Sequence, residues 1–128
     1  MATLSEQFSG EAYQGGACTY HGLLIAQDLD ETPLVQADLD SISYSIRNMD
    51  TGDFVVSNVP LTISDVLSDT VTTVAGKNYN FTVQFPHTSF PAGCVVYEVV
   101  FKFVASDAAN TVTYGKINIT SEAVQFSA

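Results

Sequence analysis

The chain contains no tryptophan, only four basic residues and no apolar run approaching the roughly 18 residues of a membrane-spanning helix. The four basic residues face fourteen acidic ones, which gives a formal charge of -10 at pH 7. Phosphate backbones and anionic lipid surfaces repel a chain of this charge. We therefore expect neither nucleic acid nor a membrane as a partner.

The sequence also lacks the motifs of common enzymes. It contains no GxSxG nucleophile motif, no HExxH zinc motif and no glycine-rich phosphate loop. Glu98 and Lys102 lie four residues apart, about 13 Å along an extended strand, which is too far for an acid–base pair. We interpret His21 and His87 as surface or hydrogen-bonded structural residues. No catalytic residue is assigned, no cofactor is expected, and the chain is predicted not to be an enzyme.

The start of the chain, MATLSEQF, has neither the basic nor the apolar segment of a secretion signal. We therefore expect the chain to be made and folded in a cytoplasm. Its two cysteines, Cys18 and Cys94, are expected to be reduced thiols, because disulfides are rare in that compartment. A disulfide between them is the less favoured alternative.

The strongest structural pattern lies in residues 94–106, which read CVVYEVVFKFVAS. Apolar residues at every second position predict a strand with one face in the core. These alternating residues are Val95, Tyr97, Val99, Phe101, Phe103 and Ala105. A strand of this length and aromatic content is expected near the middle of a sheet. Its opposite face carries Val96, Val100 and Val104 beside two charged residues.

The same alternation predicts strands over residues 17–26, 40–48 and 79–85, and a return strand begins at Phe54. The whole chain contains about seven or eight such segments and no amphipathic helix of convincing length. This pattern predicts an all-β chain folded as an antiparallel β-sandwich. A small β-barrel is the competing architecture.

Three details of this fold are also predicted. Residues 1–16 form an N-terminal arm or edge strand, and residues 17–128 form one sandwich domain. Pro60 is expected to end the strand that begins at Phe54. The alternation changes register at Gly115-Lys116, which predicts a β-bulge there.

The cysteines bear on the type of sandwich. Cys18 and Cys94 stand at a separation that resembles that of the paired cysteines in immunoglobulin domains. The tryptophan of the immunoglobulin signature is absent, and parity places Cys94 on the face opposite Tyr97 and Val99. We therefore predict an immunoglobulin-like sandwich without its disulfide.

The acidic loop DLDETP offers candidate metal ligands. Its carboxylates, Asp28, Asp30 and Glu31, are hard oxygen donors of the kind that calcium prefers. The ligand spacing of an EF-hand is absent, and a solvated acidic loop explains the composition equally well. These residues are weak candidates, and no metal site is assigned.

The valine stripe of the long strand is the best candidate for an interface. The outer face of a sandwich strand normally lies in water, so Val96, Val100 and Val104 indicate either a covering loop or another subunit. Leu4 and Phe8, near the predicted first strand, are further interface candidates. The glycine-bearing residues after them would let that strand join the sheet edge of a neighbouring subunit.

Three stretches carry a resemblance to a known group of proteins: the start MATLSEQF, the hairpin SISYSIRNMDTGDF and the block YNFTVQFPHTSFPAGCVVYEVVFKFVAS. In that block a Tyr-Asn-Phe strand leads through a proline-containing loop to a long Tyr-x-Val-x-Phe strand. This arrangement resembles that of the small, immunoglobulin-like accessory proteins of tailed-phage virions.

The resemblance implies a structural virion component that is assembled in the host cytoplasm. It would act as a head decoration protein, a neck or head-closure component, or a tail or baseplate subunit. Its expected partners are other virion proteins and further copies of itself. The alternative is a carbohydrate- or calcium-binding β-sandwich module of a surface protein, which would expose aromatic side chains such as Tyr13, Tyr20 and Tyr114 on a groove.

Overall fold

The structure is a computed structural model that describes residues 2–5, 10–13, 18–26, 32–107 and 109–122. These residues contain nine strands, one helical turn and one 3-10 turn. The strands are β1 Ala2–Ser5, β2 Gly10–Tyr13, β3 Cys18–Ala26, β4 Leu39–Asn48, β5 Phe54–Leu61, β6 Leu67–Val74, β7 Lys77–Phe85, β8 Val95–Ala105 and β9 Val112–Glu122. The helix α1 covers Ile63–Val66, and the 3-10 turn covers Gln36–Asp38. No helix within the described ranges is long and apolar enough to cross a membrane.

The strands form two facing sheets. One has four strands in the order β1-β3-β7-β6, and the other has five in the order β2-β9-β8-β4-β5. All paired neighbours are antiparallel except β2, which runs parallel to β9. Immunoglobulin sandwiches use the same order, with an ABED sheet facing a GFC sheet that is extended by C′. The predicted antiparallel, immunoglobulin-like β-sandwich is confirmed, and the sheets do not close into a barrel.

The N-terminal segment contributes an edge strand to each sheet. Ala2 pairs with Ala26 in the four-stranded sheet, whereas Gly10 pairs with Ile119 in the five-stranded sheet. The described parts of residues 1–16 therefore pair with strands of their own chain. Division of the first strand between two sheets raises the strand count above the seven or eight expected from the sequence.

The core is organised around β8, which lies in the middle of the five-stranded sheet as predicted. Its inward side chains are at most 1% exposed; they are Tyr97, Val99, Phe101 and Phe103. The Phe101 ring lies within 6.4 Å, between ring centroids, of the rings of Tyr20, Tyr44 and Phe81. Aromatic pairs in edge-to-face and offset geometries add to the free energy gained from burial.

Tyr97 also fixes the loop that enters β8. Its hydroxyl accepts a hydrogen bond from the backbone N–H of Ala92 at 2.9 Å and lies 3.4 Å from the Ala92 carbonyl oxygen. A tyrosine near the start of the same strand, bonded to backbone a few residues upstream, is the tyrosine corner of immunoglobulin folds. The bond gives the buried hydroxyl a partner and holds the connection between β7 and β8 against the core.

Two local predictions are wrong. Pro60 lies inside β5 and pairs with Ser43, because β5 is an edge strand, where the missing N–H breaks no ladder hydrogen bond. No bulge interrupts β9 at Gly115, since the pairing with β8 is continuous from Val95–Ser121 to Val104–Val112. Gly115 instead occupies an inward position of an unbroken strand.

The start of the long strand differs in detail from the sequence interpretation. Cys94 lies just before β8, with a backbone φ of 58°, and its N–H donates to the carbonyl of Ser121. The long strand therefore begins at Val95, one residue later than predicted.

Candidate functional site

The face of the five-stranded sheet that points away from the core is the candidate site, and we call it the outer face. Cross-strand pairs define it, because residues directly opposite each other in an antiparallel ladder project to the same side. Between β8 and β9 the outward pairs include Val104 with Val112 and Lys102 with Tyr114. Between β4 and β5, Arg47 pairs with Phe54.

Large apolar side chains concentrate on this outer face. The described part of the chain has six exposed large apolar residues, and five of them belong to this surface. They are Met49, Phe54, Val96, Val112 and Tyr114. Met49 lies at the end of the face, where its N–H donates to the carbonyl of Val96. Val71, on the edge strand β6 of the other sheet, is the sixth.

The predicted valine stripe lies on this surface. Val96 is 39% exposed, while Val100 and Val104 are half-buried among their cross-strand neighbours. Tyr114 is 61% exposed and Val112 is 42% exposed. Within the described ranges, therefore, no loop seals this face from solvent. Of the two explanations that the sequence left open, contact with another molecule is the one these exposures favour.

Basic residues concentrate on the same face. Arg47, Lys102 and Lys116 are three of the chain's four basic residues, and their register positions place all three outward. Glu98 lies among them, opposite Arg47. These four side chains carry three positive charges and one negative charge, a net of +2, on a chain whose formal charge is -10.

Only the arginine of this group has a carboxylate partner in the described residues. The Arg47 guanidinium lies 3.3 Å from Glu98 Oε1, and the two side chains are 38% and 17% exposed. No described carboxylate pairs with Lys102 or Lys116. An acidic chain has placed two of its few lysines away from its many acids, on an apolar surface.

The cysteines lie apart in the structure. Cys18 is buried on β3, and Cys94 is exposed before β8. Among the described residues no disulfide joins them. Burial raises the pKa of the Cys18 thiol, which disfavours the thiolate that nucleophilic or redox chemistry requires.

Of the three tyrosines proposed for an exposed groove, Tyr114 is at the surface, and the side chain of Tyr13 lies outside the described part of the chain. Tyr20 is 1% exposed and its ring stacks on Phe101 at 5.9 Å between centroids. Its hydroxyl has no hydrogen-bond partner in the described part of the chain, and burial raises the pKa of Tyr20. Tyr20 is therefore a core residue, contrary to the sequence expectation.

The candidate metal ligands Asp28, Asp30 and Glu31 lie outside the described residues, as does Phe8. Leu4 is on β1, where its backbone pairs with Leu24. The described remainder contains no group of three His, Cys, Asp or Glu side chains close enough to hold a metal ion.

A cavity of about 430 Å³ lies at one end of the sandwich, lined by Leu34, Phe103 and two carboxylates. One carboxylate, Asp107, accepts hydrogen bonds from the N–H and the hydroxyl of Thr111, which lower its pKa. The other, Asp38, accepts from the backbone N–H of Val35 at 3.0 Å. Both carboxylates therefore accept hydrogen bonds within local turns of the chain.

The two histidines lie in different surroundings. His21 Nδ1 lies 3.0 Å from the hydroxyl of Thr82, and its ring is 4.6 Å from that of Tyr79. His87 is exposed in the turn after β7.

Sequence reasoning found the valine stripe but missed Met49, Phe54 and Tyr114 as parts of the same surface. Gly115 was the residue that could have revealed this. If Gly115 is counted as a core position of its strand, Val112 and Tyr114 fall on the same face as the valine stripe.

The chain matches no known protein family, no curated protein and no solved structure.

Proposed function

We propose that this protein is a structural, non-enzymatic component of a tailed-phage virion, and that the outer face is its assembly surface. One observation carries the proposal: the exposed apolar side chains and the basic residues share one side of the molecule. Soluble monomers rarely expose contiguous apolar patches, and a patch bordered by polar side chains is typical of a protein–protein interface.

The size of the outer face suits this role. The ladder between β8 and β9 contains ten residue pairs, which corresponds to about 34 Å along the strands. Four strands side by side, β9, β8, β4 and β5, span about 19 Å. The resulting footprint of roughly 600 Å² approaches the roughly 800 Å² that each partner buries in a standard interface.

The resemblance of the sequence to phage accessory proteins supports the virion part of the proposal. Head decoration, a neck or head-closure role, and a tail or baseplate role all require a domain that binds protein surfaces. The partners we propose are other virion proteins and further copies of this chain.

Incorporation into particles tests the proposal. Tagged wild-type chain, Val100→Asp and Gln84→Asp are each produced during phage growth, and particles purified on a density gradient are probed for the tag. Val100 lies in the middle of the outer face, whereas Gln84 is exposed on the four-stranded sheet and provides a matched control with the same added charge.

We expect the wild-type chain and the Gln84→Asp variant in the particles and the Val100→Asp variant in the soluble fraction, with all three melting at similar temperatures. The proposal fails if the wild-type chain is absent from particles. Equal incorporation of the Val100→Asp variant would rule out the outer face as the assembly surface.

The alternative, a calcium-binding surface module, is tested by thermal unfolding with calcium and with a chelator. The virion proposal predicts the same melting temperature in both conditions. A melting temperature that rises strongly with calcium would favour the alternative, because a ligand that binds only the folded state stabilises it.

A further inference from the structure

Part of the outer face forms a projecting basic ridge, which we define as Lys102, Tyr114 and Lys116. Lys102 and Tyr114 are directly paired across β8 and β9, and Lys116 follows two positions later on the same side of β9. The Tyr114 side chain is 61% exposed. Neither lysine has a described carboxylate partner, so the ridge presents two positive charges around an exposed aromatic ring.

An acidic groove lies beside the start of β4 and the end of β5. It has a volume of about 740 Å³ and runs between the 3-10 turn, the end of β5 and α1. Pro60, Leu61 and Ile63 supply apolar lining, and Asp40 and Asp69 supply exposed carboxylates. We define these five residues as the acidic groove. Its chemistry, apolar and negative, is the complement of the basic ridge.

The two surfaces do not obstruct each other. The ridge is centred on β9, whereas the lining of the groove begins on β4, two strands away, and continues across β5 and α1 to β6. Two strand spacings, about 10 Å, separate β9 from β4, and the ridge and the groove share no residue. Two separate complementary patches on one chain allow head-to-tail contacts between copies.

Charge favours this arrangement over two outer faces packed against each other. Face-to-face packing would bring four lysines without carboxylate partners into one interface, and like charges across an interface are unfavourable. Docking of the ridge in the groove would instead pair Lys102 and Lys116 with Asp40 and Asp69. The Tyr114 ring would then cover the apolar lining.

We propose that the basic ridge of one copy docks in the acidic groove of a second copy. This inference rests on the proposed role in assembly and names the chain itself as one occupant of the outer face. In the proposed head-to-tail arrangement this contact repeats from copy to copy and produces a closed ring or an open filament.

Two charge-removing variants test the contact by sedimentation velocity. Lys102→Gln with Lys116→Gln disables the ridge, and Asp40→Asn with Asp69→Asn disables the groove. We expect the wild-type chain to form oligomers larger than dimers and each variant alone to be monomeric. An equimolar mixture of the two variants should form a one-to-one dimer that does not grow, because only one intact ridge and one intact groove remain.

Folding is checked separately, because Asp69 Oδ1 accepts a hydrogen bond from the Gln36 N–H at 2.7 Å. Asp40→Lys alone leaves that bond intact and should weaken assembly at least ten-fold at an unchanged melting temperature. The inference is wrong if the groove variant assembles as well as wild type, or if the mixture of variants stays monomeric. A wild-type chain that is monomeric at its highest soluble concentration also overturns it, while incorporation into particles independently tests the proposed function.

Discussion

The outward faces of the two sheets differ sharply in composition. The five-stranded sheet exposes five large apolar side chains and three basic ones. The centre of the four-stranded sheet presents polar residues instead: Thr19 and Gln84 are exposed, and His21 contacts the hydroxyl of Thr82. Both sheets bury one face against the same core, so burial within this chain does not explain the difference. This difference is the basis for proposing that the apolar outward face, rather than the polar one, binds another protein.

The inward faces differ as well. In the five-stranded sheet the central strand contributes an apolar stripe that ends in the bonded hydroxyl of Tyr97. The four-stranded sheet contains the buried amide of Asn80, the unpaired hydroxyl of Tyr20 and a tightly packed Gly22. Mutations along β8 should therefore test apolar packing, whereas mutations at Asn80, Tyr20 and Gly22 should test buried polar groups and close contacts. The five-stranded sheet also buries one polar side chain, that of Ser121 on β9.

The largest difference in stability loss is expected between two adjacent residues of β8 whose side chains point to opposite faces of the sheet. Phe101→Ala removes a fully buried ring that contacts five other aromatic rings in β3, β4 and β7 and in β8 itself. It should lower the free energy of unfolding by about 3–5 kcal/mol. Val100→Ala, on the outer face, should cost less than about 1 kcal/mol of stability but weaken assembly. Urea unfolding and sedimentation measure the two effects, and equal losses of stability would contradict the assignment of inner and outer faces.

Asn80→Ala should have the next largest effect. The Asn80 side chain accepts a hydrogen bond from the Leu24 N–H and donates to the carbonyls of Leu24 and Leu34. Its removal leaves buried backbone groups without partners, which should cost about 2–4 kcal/mol.

Ser45→Ala provides the control in the other sheet, since the Ser45 hydroxyl accepts from the Asn58 N–H at an exposed position. The control should lose less than about 1 kcal/mol in the same unfolding assay, because water replaces the lost bond. A larger loss for Ser45→Ala than for Asn80→Ala would contradict the comparison between the sheets.

The close contact between Gly22 and Tyr20 predicts a smaller effect and a rescue. A Cβ atom at position 22 would lie 2.6 Å from the Tyr20 hydroxyl oxygen. Gly22→Ala should therefore destabilise the fold by about 1–3 kcal/mol. Tyr20→Phe alone should be close to neutral, because the hydroxyl it removes has no described hydrogen-bond partner.

In the Gly22→Ala/Tyr20→Phe double variant, part of the lost stability should return, because the oxygen that meets the new methyl group is gone. A double-mutant cycle from thermal unfolding measures this coupling. If the two losses simply add, the hydroxyl is not what excludes a side chain at position 22.

The smallest expected effect concerns the turn between β8 and β9. Hydrogen bonds from Thr111 hold the pKa of Asp107 below its usual value of 3.8. Its contribution to stability is complete above pH 3.8 and is lost as the pH falls through the lower pKa of the folded state. Asp107→Asn should remove this acid-dependent loss and slightly lower the melting temperature at neutral pH. Melting curves recorded across this pH range check both effects, and an unchanged acid dependence would exclude Asp107 as its source.

The alternating pattern of the sequence predicted the positions of the strands more accurately than the pairing and packing between them. Alternation identified β3, β4, β7 and β8, because a strand with one buried face must repeat every two residues. The same rule failed at Gly115, which carries no side chain to reveal its face, and produced a bulge that the pairing does not contain. Tyr20 was misplaced because a tyrosine suits either surface, and only the neighbouring strands show that its ring is covered.

The amino-acid sequence by itself determined the charge, the class of fold and the apolar stripe of the central strand, since composition and short-range periodicity are local properties. Only the tertiary structure decided which residues accompany that stripe. Strand register brings Tyr114 beside Lys102 and Phe54 beside Arg47, although the members of the first pair are 12 positions apart and those of the second are seven positions apart. Register is set by burial of the opposite faces of these strands, because a shift of one residue would move each core side chain into water.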